Sequence, residues 1–557
     1  SNLFSNSGRS GGALAISPNA FVNITRGAGQ MTFTGNDAIL NGGAIYNQGG
    51  VMTVQGALFH ANTVPTNTVG GTNGGAIYSD ARLTIRDTTF ELNSAKSGGA
   101  LSAEQAILTD TIFLSNTANN EGGGANISNS GALIKRGLFQ NNRCTDVNGC
   151  AGGALYVEGS ATLTGTRFLG NSSQYAGGAI SAVGNIALTN GLVESNHCER
   201  DFCIGGALFT EGGIFLTDTL VLSNTSHADG GAASADGPII VTGGRFQSNT
   251  CLEAGCIGGG LSGASSVTLA NALILSNTSS TNGGGAYANG RAVVTGSLFQ
   301  NNQCLASNCR GGGLYARGAL TLADTAFLSN TTPHQGGGIY AEAALTATRG
   351  VFEGNQGGSG GGLFANGFLA LTGTQFVANS SAGSGGGLFS IAGAGSVVNT
   401  LFARNTAAGR GAAIYIDSST LGLAHNTLVG VSQPGAAAID VQSGTVVLTN
   451  TIFASYTVGI SRTLGAVVED YSLFFNTPTH TAGGVVSGGH SFSGNPAFAG
   501  PAQDDYHLRA GSAAIDHGLD AGITVDVDGD PRPLDAGFDI GFDEFALRVL
   551  YLPLVRR

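Results

Sequence analysis

Two short signatures alternate along most of this chain and leave little freedom in how it can fold. One is Gly-Gly-Ala/Gly-aliphatic, which appears as GGAL from Gly11, GGAI from Gly42, GGAI from Gly74 and GGAL from Gly98. It returns at Gly152, Gly177, Gly205, Gly258, Gly311, Gly336, Gly360 and Gly385. The other is an apolar residue followed three positions later by Asn, running from Phe33/Asn36 and Phe59/Asn62 through Val221/Asn224 to Phe402/Asn405. Five residues before most of these apolar positions stands an aliphatic, as at Val54, Ile85, Leu108 and Leu163. Each repeat therefore holds three short stretches of β pattern separated by Gly, Asn, Asp and Thr, too short for ordinary helices. Such a unit cannot bury its apolar face alone and must stack on its neighbours. The expected fold is all-β: a right-handed, single-stranded parallel β-helix with about three short strands per coil. Equivalent residues should stack about 4.8 Å apart, the Phe residues in one internal column and the Asn residues in a ladder. Asn suits the bend there because its amide reaches the next coil and it tolerates unusual φ/ψ.

Composition removes the competing classes. The 93 Gly have no period of three, which excludes a collagen helix. With 42% hydrophobic and only 10% charged residues the chain is not disordered. A net charge of −12 argues against nucleic acid as a partner. No apolar run reaches the ~18 residues of a transmembrane segment. The sequence opens in mid-repeat at Ser1, without Met or a signal peptide, as expected of either a processed chain or an incomplete one.

The eight cysteines follow the repeat. From Phe168 the spacing of the Phe position alternates between 25 and 28 residues, and the clear long loops carry two cysteines each. The pairs are Cys144/Cys150, Cys198/Cys203, Cys251/Cys256 and Cys304/Cys309. Even number, fixed spacing and recurrence in alternate coils point to four loop disulfides and an oxidising, extracytoplasmic setting. Zinc is the competing reading, but loops two coils apart stand roughly 10 Å from one another, too far for one ion.

At the level of the repeat, GGA[IL] alternating with FxxN resembles the chlamydial polymorphic outer-membrane proteins and related bacterial surface β-helices, over about residues 1–414. That resemblance implies an adhesin-like surface protein. Further on, NPAF from Asn495, YHLRAGSAAIDHG from Tyr506, VDVDGDPRP from Val525 and FDIGFDEF from Phe538 are similar to the closing module of choice-of-anchor Q domain proteins. In that family the module follows a β-helix and precedes a variable surface anchor.

Candidate chemistry is concentrated near the end. Asp526, Asp528, Asp530, Asp535 and Asp539, with Asp543 and Glu544 beyond them, form the densest acidic cluster. The D-x-D-G-D spacing places oxygen ligands on a tight loop, which suits Ca²⁺; the alternative is a solvated acidic cap in which Arg532 pairs with a carboxylate. Asp80, Glu104, Glu158, Glu211, Asp236 and Glu342 recur at one turn of different coils and read as a polar solvent edge, the alternative being a line that binds cations or sugar. The sequons at Asn171, Asn224, Asn277, Asn330 and Asn379 fall on the ladder, which argues against glycosylation there.

The expected organisation is regular repeats over 1–410, degenerate coils over 411–490, an acidic capping module over 491–546 and an apolar, cationic tail over 547–557. The tail residues Leu547, Val549, Leu550, Tyr551, Leu552, Leu554 and Val555 have strand-like composition. They are expected to add to the open first coil of a second copy, building a head-to-tail filament. The functional expectation is a non-enzymatic structural or adhesive protein of a bacterial cell surface. Its partners would be itself, a host or neighbouring cell, or a glycan. The alternative is a polysaccharide lyase or hydrolase on the same scaffold; its paired carboxylates are not found converging on any strand face.

Overall fold

The computed structural model describes residues 2–27, 29–66, 71–129, 131–431 and 436–546. They form strands and turns, with one 3₁₀ turn at Pro501–Gln503. The fold is a parallel β-solenoid with about three strands per coil. Two compact units divide the chain, Ser1–Gly318 and Ala319–Arg557. The expected boundaries near 410 and 490 both fall inside the second unit. No helix among the described residues is long and apolar enough to cross a membrane.

In the first unit one coil illustrates the rule. Leu208–Thr210, Ile214–Thr217 and Leu220–Leu222 pair in parallel with Ala233–Ala235, Ile239–Thr242 and Arg245–Gln247 of the next coil. Alternation puts Leu208, Ile214, Leu216 and Val221 inside. A fourth strand of two residues, Thr225–Ser226, follows the ladder asparagine and pairs with Thr250–Cys251. Such pairs build a separate nine-stranded sheet that the three-strand pattern did not foresee. The Gly-Gly turn has two distinct requirements. Gly205 sits at φ +68°, and a Cβ on Gly206 would overlap the carbonyl oxygen of Gly231 in the next coil.

The internal columns form as expected. Phe33, Phe59, Phe90, Phe113, Phe139 and Phe168 stack with ring centroids 4.5–5.0 Å apart, which is the strand spacing itself. Beside them the asparagines are fully buried. Asn224 Nδ2 donates to Asn249 Oδ1 at 3.0 Å and to the Val193 carbonyl at 3.0 Å, while its Oδ1 accepts from Asn196 N–H at 2.9 Å. One detail differs from expectation: the left-handed residue is the one before the asparagine, such as Ser195, Ser223 or Ser248. That residue turns the chain, so the asparagine itself keeps ordinary backbone angles and can point its amide inward.

The second unit continues the same pattern through Leu345–Thr348 and Leu369–Thr372, with Asn355, Asn379 and Asn405 as rungs. Its strands then lengthen, and Ser419–Val429 pairs along almost its whole length with Gly444–Ala454. The last main pairing joins Leu473 to Phe492. Residues 495–546 then fold back. Tyr506, Leu508, Ala514, Ile540 and Phe542 pack on the outer side of Val377, Leu401, Ala403, Val429, Ile452, Ala454 and Leu473. The module expected to cap the open end instead lies along the flank of several coils, because those coils carry an apolar outer face that needs cover. Asn399 and Asn450 fix it there, Asn399 Nδ2 to the Val525 carbonyl at 2.8 Å and Asn450 Oδ1 to Leu519 N–H at 2.8 Å.

Candidate metal centre in the C-terminal module

Within the module the acidic motif divides into two roles. Asp526 is buried and acts as an internal cap: Oδ1 accepts from the backbone N–H of Asp528 (2.9 Å) and Asp530 (2.8 Å), and Oδ2 from that of Glu544 (3.0 Å). Asp539 does the same for Asp516 and Phe545, at 2.8 and 2.7 Å. Arg532 is wholly enclosed; its Nη1 donates to Glu544 Oε2 at 2.6 Å and its Nη2 to the Gly541 carbonyl at 3.0 Å. The D-x-D-G-D…R…D…E pattern is thus in large part a scaffold that satisfies buried backbone donors.

Of the five carboxylates expected around Ca²⁺, Asp528 and Asp530 line one cavity of about 270 Å³. Asp526 and Asp539 do not line it, because their oxygens already serve backbone N–H groups, and Asp535 is exposed elsewhere. The cavity is completed by Asp543 and Glu544 of the same acidic cluster and by two residues that spacing did not single out, Asp505 and His507. His507 lies on the strand Asp505–Leu508, paired with Phe498–Gly500. Its Nδ1 donates to Asp505 Oδ1 at 2.6 Å, and its Nε2 faces Asp528 Oδ2 at 3.2 Å. Asp543 is buried and accepts from Leu508 N–H at 2.6 Å. Burial pushes the Asp543 carboxyl up to about 6, against the opposing pull of that hydrogen bond and of His507. At His507 burial works against the charge, yet the carboxylates of Asp505, Asp543 and Asp528 outweigh it and raise the imidazole above its usual 6.5. One donor atom each from His507, Asp528 and Asp543 lies within 4.8 Å of the others. His507 stands within the YHLRAG stretch, and its i, i−2 relation to Asp505 on a strand is the one sequence signal that could have found it.

The first unit holds a second grouping. The cysteines are bonded as Cys144–Cys150, Cys198–Cys203, Cys251–Cys256 and Cys304–Cys309, with Cα separations of 5.3–5.9 Å, inside the normal range. No free cysteine is found among the described residues. Two of these loops bring Asp201 and Glu253 to His227 of the short loop between them. His227 Nδ1 stands 3.5 Å from Glu253 Oε1, with Glu253 half exposed. The acidic turn positions Asp80, Glu158, Glu211 and Asp236 are exposed and Glu104 partly so, as a solvent edge requires. The tail residues Leu547, Val549, Leu550, Tyr551, Leu552, Leu554 and Val555 lie outside the described residues.

Comparison with known proteins agrees with the repeat. The Chlamydia polymorphic membrane protein repeat matches residues 30–48. The "Probable outer membrane protein pmp20" of Chlamydia pneumoniae is 35% identical over 150 residues, which is 22% of this chain and 8% of that protein. The chain therefore spans a small part of that relative's length, and over those residues it is similar to a bacterial outer membrane protein.

Proposed function

We propose that this protein is an extracellular β-helix of a bacterial cell surface with a structural or adhesive role. The observation that carries the reading is the repeat: the signature positions build the Phe column, the Asn ladder and the Gly-Gly turns. The same signature is similar to the polymorphic membrane protein repeat and to an outer membrane protein. Loop disulfides support the extracytoplasmic setting. In this reading residues 495–545 are a closing module that precedes a surface anchor and so attaches the protein to the cell. A rigid, low-charge surface of stacked turns suits repeated contacts along its length with a cell surface or glycan.

Residues 547–557 supply the assembly joint in this reading, as a strand added to another copy of the chain. Negative-stain microscopy of the full chain beside a chain lacking residues 547–557 tests it. Filaments from the full chain alone are expected. Single particles from both preparations refute head-to-tail assembly and leave a monomeric surface protein.

A further inference from the structure

We propose that His507, Asp528 and Asp543 form a site for a divalent transition-metal ion of the Zn²⁺ class, which fastens three segments of the C-terminal module together. The three residues come from separate stretches: the strand Asp505–Leu508, the turn stabilised by Asp526, and the closing segment behind Phe542. Their donor atoms already lie within 4.8 Å of one another. Ligands at 2.0–2.2 Å around a tetrahedral ion stand about 3.4 Å apart, so binding draws the side chains inward by roughly an ångström. Asp528, half exposed, has the freedom to make that movement.

Two independent features mark the site as built for a cation. His507 is oriented from behind by Asp505, whose carboxylate holds Nδ1 at 2.6 Å and leaves Nε2 facing the other donors; this is the carboxylate–histidine arrangement that fixes metal-ligating imidazoles. Asp543 is a carboxylate more than nine-tenths buried, and it accepts a hydrogen bond from the backbone N–H of Leu508. A buried carboxylate is costly without a cation beside it. The nearby guanidinium of Arg532 is directed at Glu544 and at the carbonyls of Asp539 and Gly541. Among the residues lining this cavity His507 is the cationic partner for Asp543, unless an ion takes that place.

The donor set decides the class of ion. One imidazole nitrogen and two carboxylates suit Zn²⁺, Co²⁺ or Mn²⁺, whereas Ca²⁺ takes six to eight oxygens. Asp530, on the same cavity, offers one further oxygen, and water completes the shell. With all eight cysteines in disulfides, thiolate ligation does not compete.

The test uses the full chain, freed of metal by chelator and titrated with Co²⁺ and then Zn²⁺. Calorimetry measures stoichiometry, and the visible Co²⁺ spectrum reports the ligand set. One ion displaced by Zn²⁺, with a nitrogen/oxygen spectrum and slower amide exchange over residues 505–546, is expected. His507→Gln and Asp528→Asn should abolish that binding. Asp505→Asn, which changes a positioning residue, should weaken it about 10–100-fold. His227→Gln, at the other grouping, should leave it unchanged. Asp528 is exposed enough that its variant should keep the far-ultraviolet spectrum of the native chain, which separates lost binding from lost folding. The proposal is overturned if the native chain binds no Co²⁺, if His507→Gln binds it as well as the native chain, or if Ca²⁺ alone is taken up.

Discussion

Replacing Asn224 by Ala tests whether the asparagine ladder, and not the apolar columns alone, holds the coils in register. Asn224 is fully buried. Its Oδ1 accepts from Asn196 N–H and Nδ2 at 2.9 and 3.0 Å, and its Nδ2 donates to the Val193 carbonyl and Asn249 Oδ1, both at 3.0 Å. Alanine removes all four and leaves the buried Asn196 N–H without this acceptor. At about 1 kcal/mol net per bond, with the larger penalty of an orphaned buried donor, the loss is roughly 3–5 kcal/mol. A solenoid opens locally and is poorly described by one global transition, so native-state hydrogen exchange is the appropriate assay. Protection of amides in the flanking coils should fall by about two to four orders of magnitude, while coils around Asn93 keep theirs. Asn6 provides the internal control. Its Nδ2 donates to Asn36 Oδ1 at 2.8 Å, and no described side chain donates to its own Oδ1. Asn6→Ala should therefore cost about 1 kcal/mol or less. Asn224→Asp should be at least as damaging as Asn224→Ala, because a carboxylate there faces a carbonyl and an amide oxygen with no proton to offer. If Asn224→Ala costs no more than Asn6→Ala, the ladder is not what fixes the register.

Two further outcomes follow from the second unit. Arg532→Ala leaves the buried Glu544 without its cation and should destabilise the module by about 3–5 kcal/mol. Arg404→Ala breaks a more open pair with Asp504 and should cost about 1 kcal/mol or less. Limited proteolysis of residues 495–546 against the intact coils distinguishes the two variants. Acid should loosen the contact between coil and module through His425, whose imidazole is driven down from 6.5 to about 3 by burial and by the nearby Arg532. A depressed histidine contributes stability that is present above pH 6.5 and lost as pH falls toward 3. At pH 5 the loss is about 2 kcal/mol. Buried Asp543, raised to about 6, and Glu544, raised to about 7, act in the opposite direction over this range, so the slope is read from pH 7 to pH 4 as the difference in unfolding free energy between the native chain and His425→Gln.

The coil was legible in the sequence because stacking repeats every requirement once per turn. A Phe that touches only the Phe above and below it must recur at the same phase, and so must the ladder Asn and the Gly-Gly turn. The cysteine pairs were legible for the same reason, since each sits within one loop. The two-residue fourth strand was not, because Thr225–Ser226 has too few residues to show any alternation. Nor was the left-handed bend residue, which is Ser, Gly, Asn, Ala, Leu or Arg in different coils and carries no constant chemistry.

What lay beyond the repeat was decided by tertiary packing. The residue after each internal Phe-position residue faces outward; from Glu91 to Gln300 in the first unit it alternates between a polar residue and Leu (Glu91, Leu114, Gln140, Leu169, Glu194, Leu222), but it is apolar in four successive coils of the second, at Val377, Ala403, Val429 and Ala454. That change from alternating to uniformly apolar is present in the sequence, but its meaning is not, because it takes the folded-back residues 495–546 to cover those positions. In the same way the acidic motif showed many carboxylates and not which were free. Asp526 and Asp539 are committed to backbone N–H groups, while His507, Asp528 and Asp543 meet across 36 residues of chain (543 − 507). By itself the sequence determined the β-helix and its internal columns, since those contacts join equivalent residues one turn apart. Only the tertiary structure decided where the module sits and which of its donors converge, since those contacts join residues that share no period.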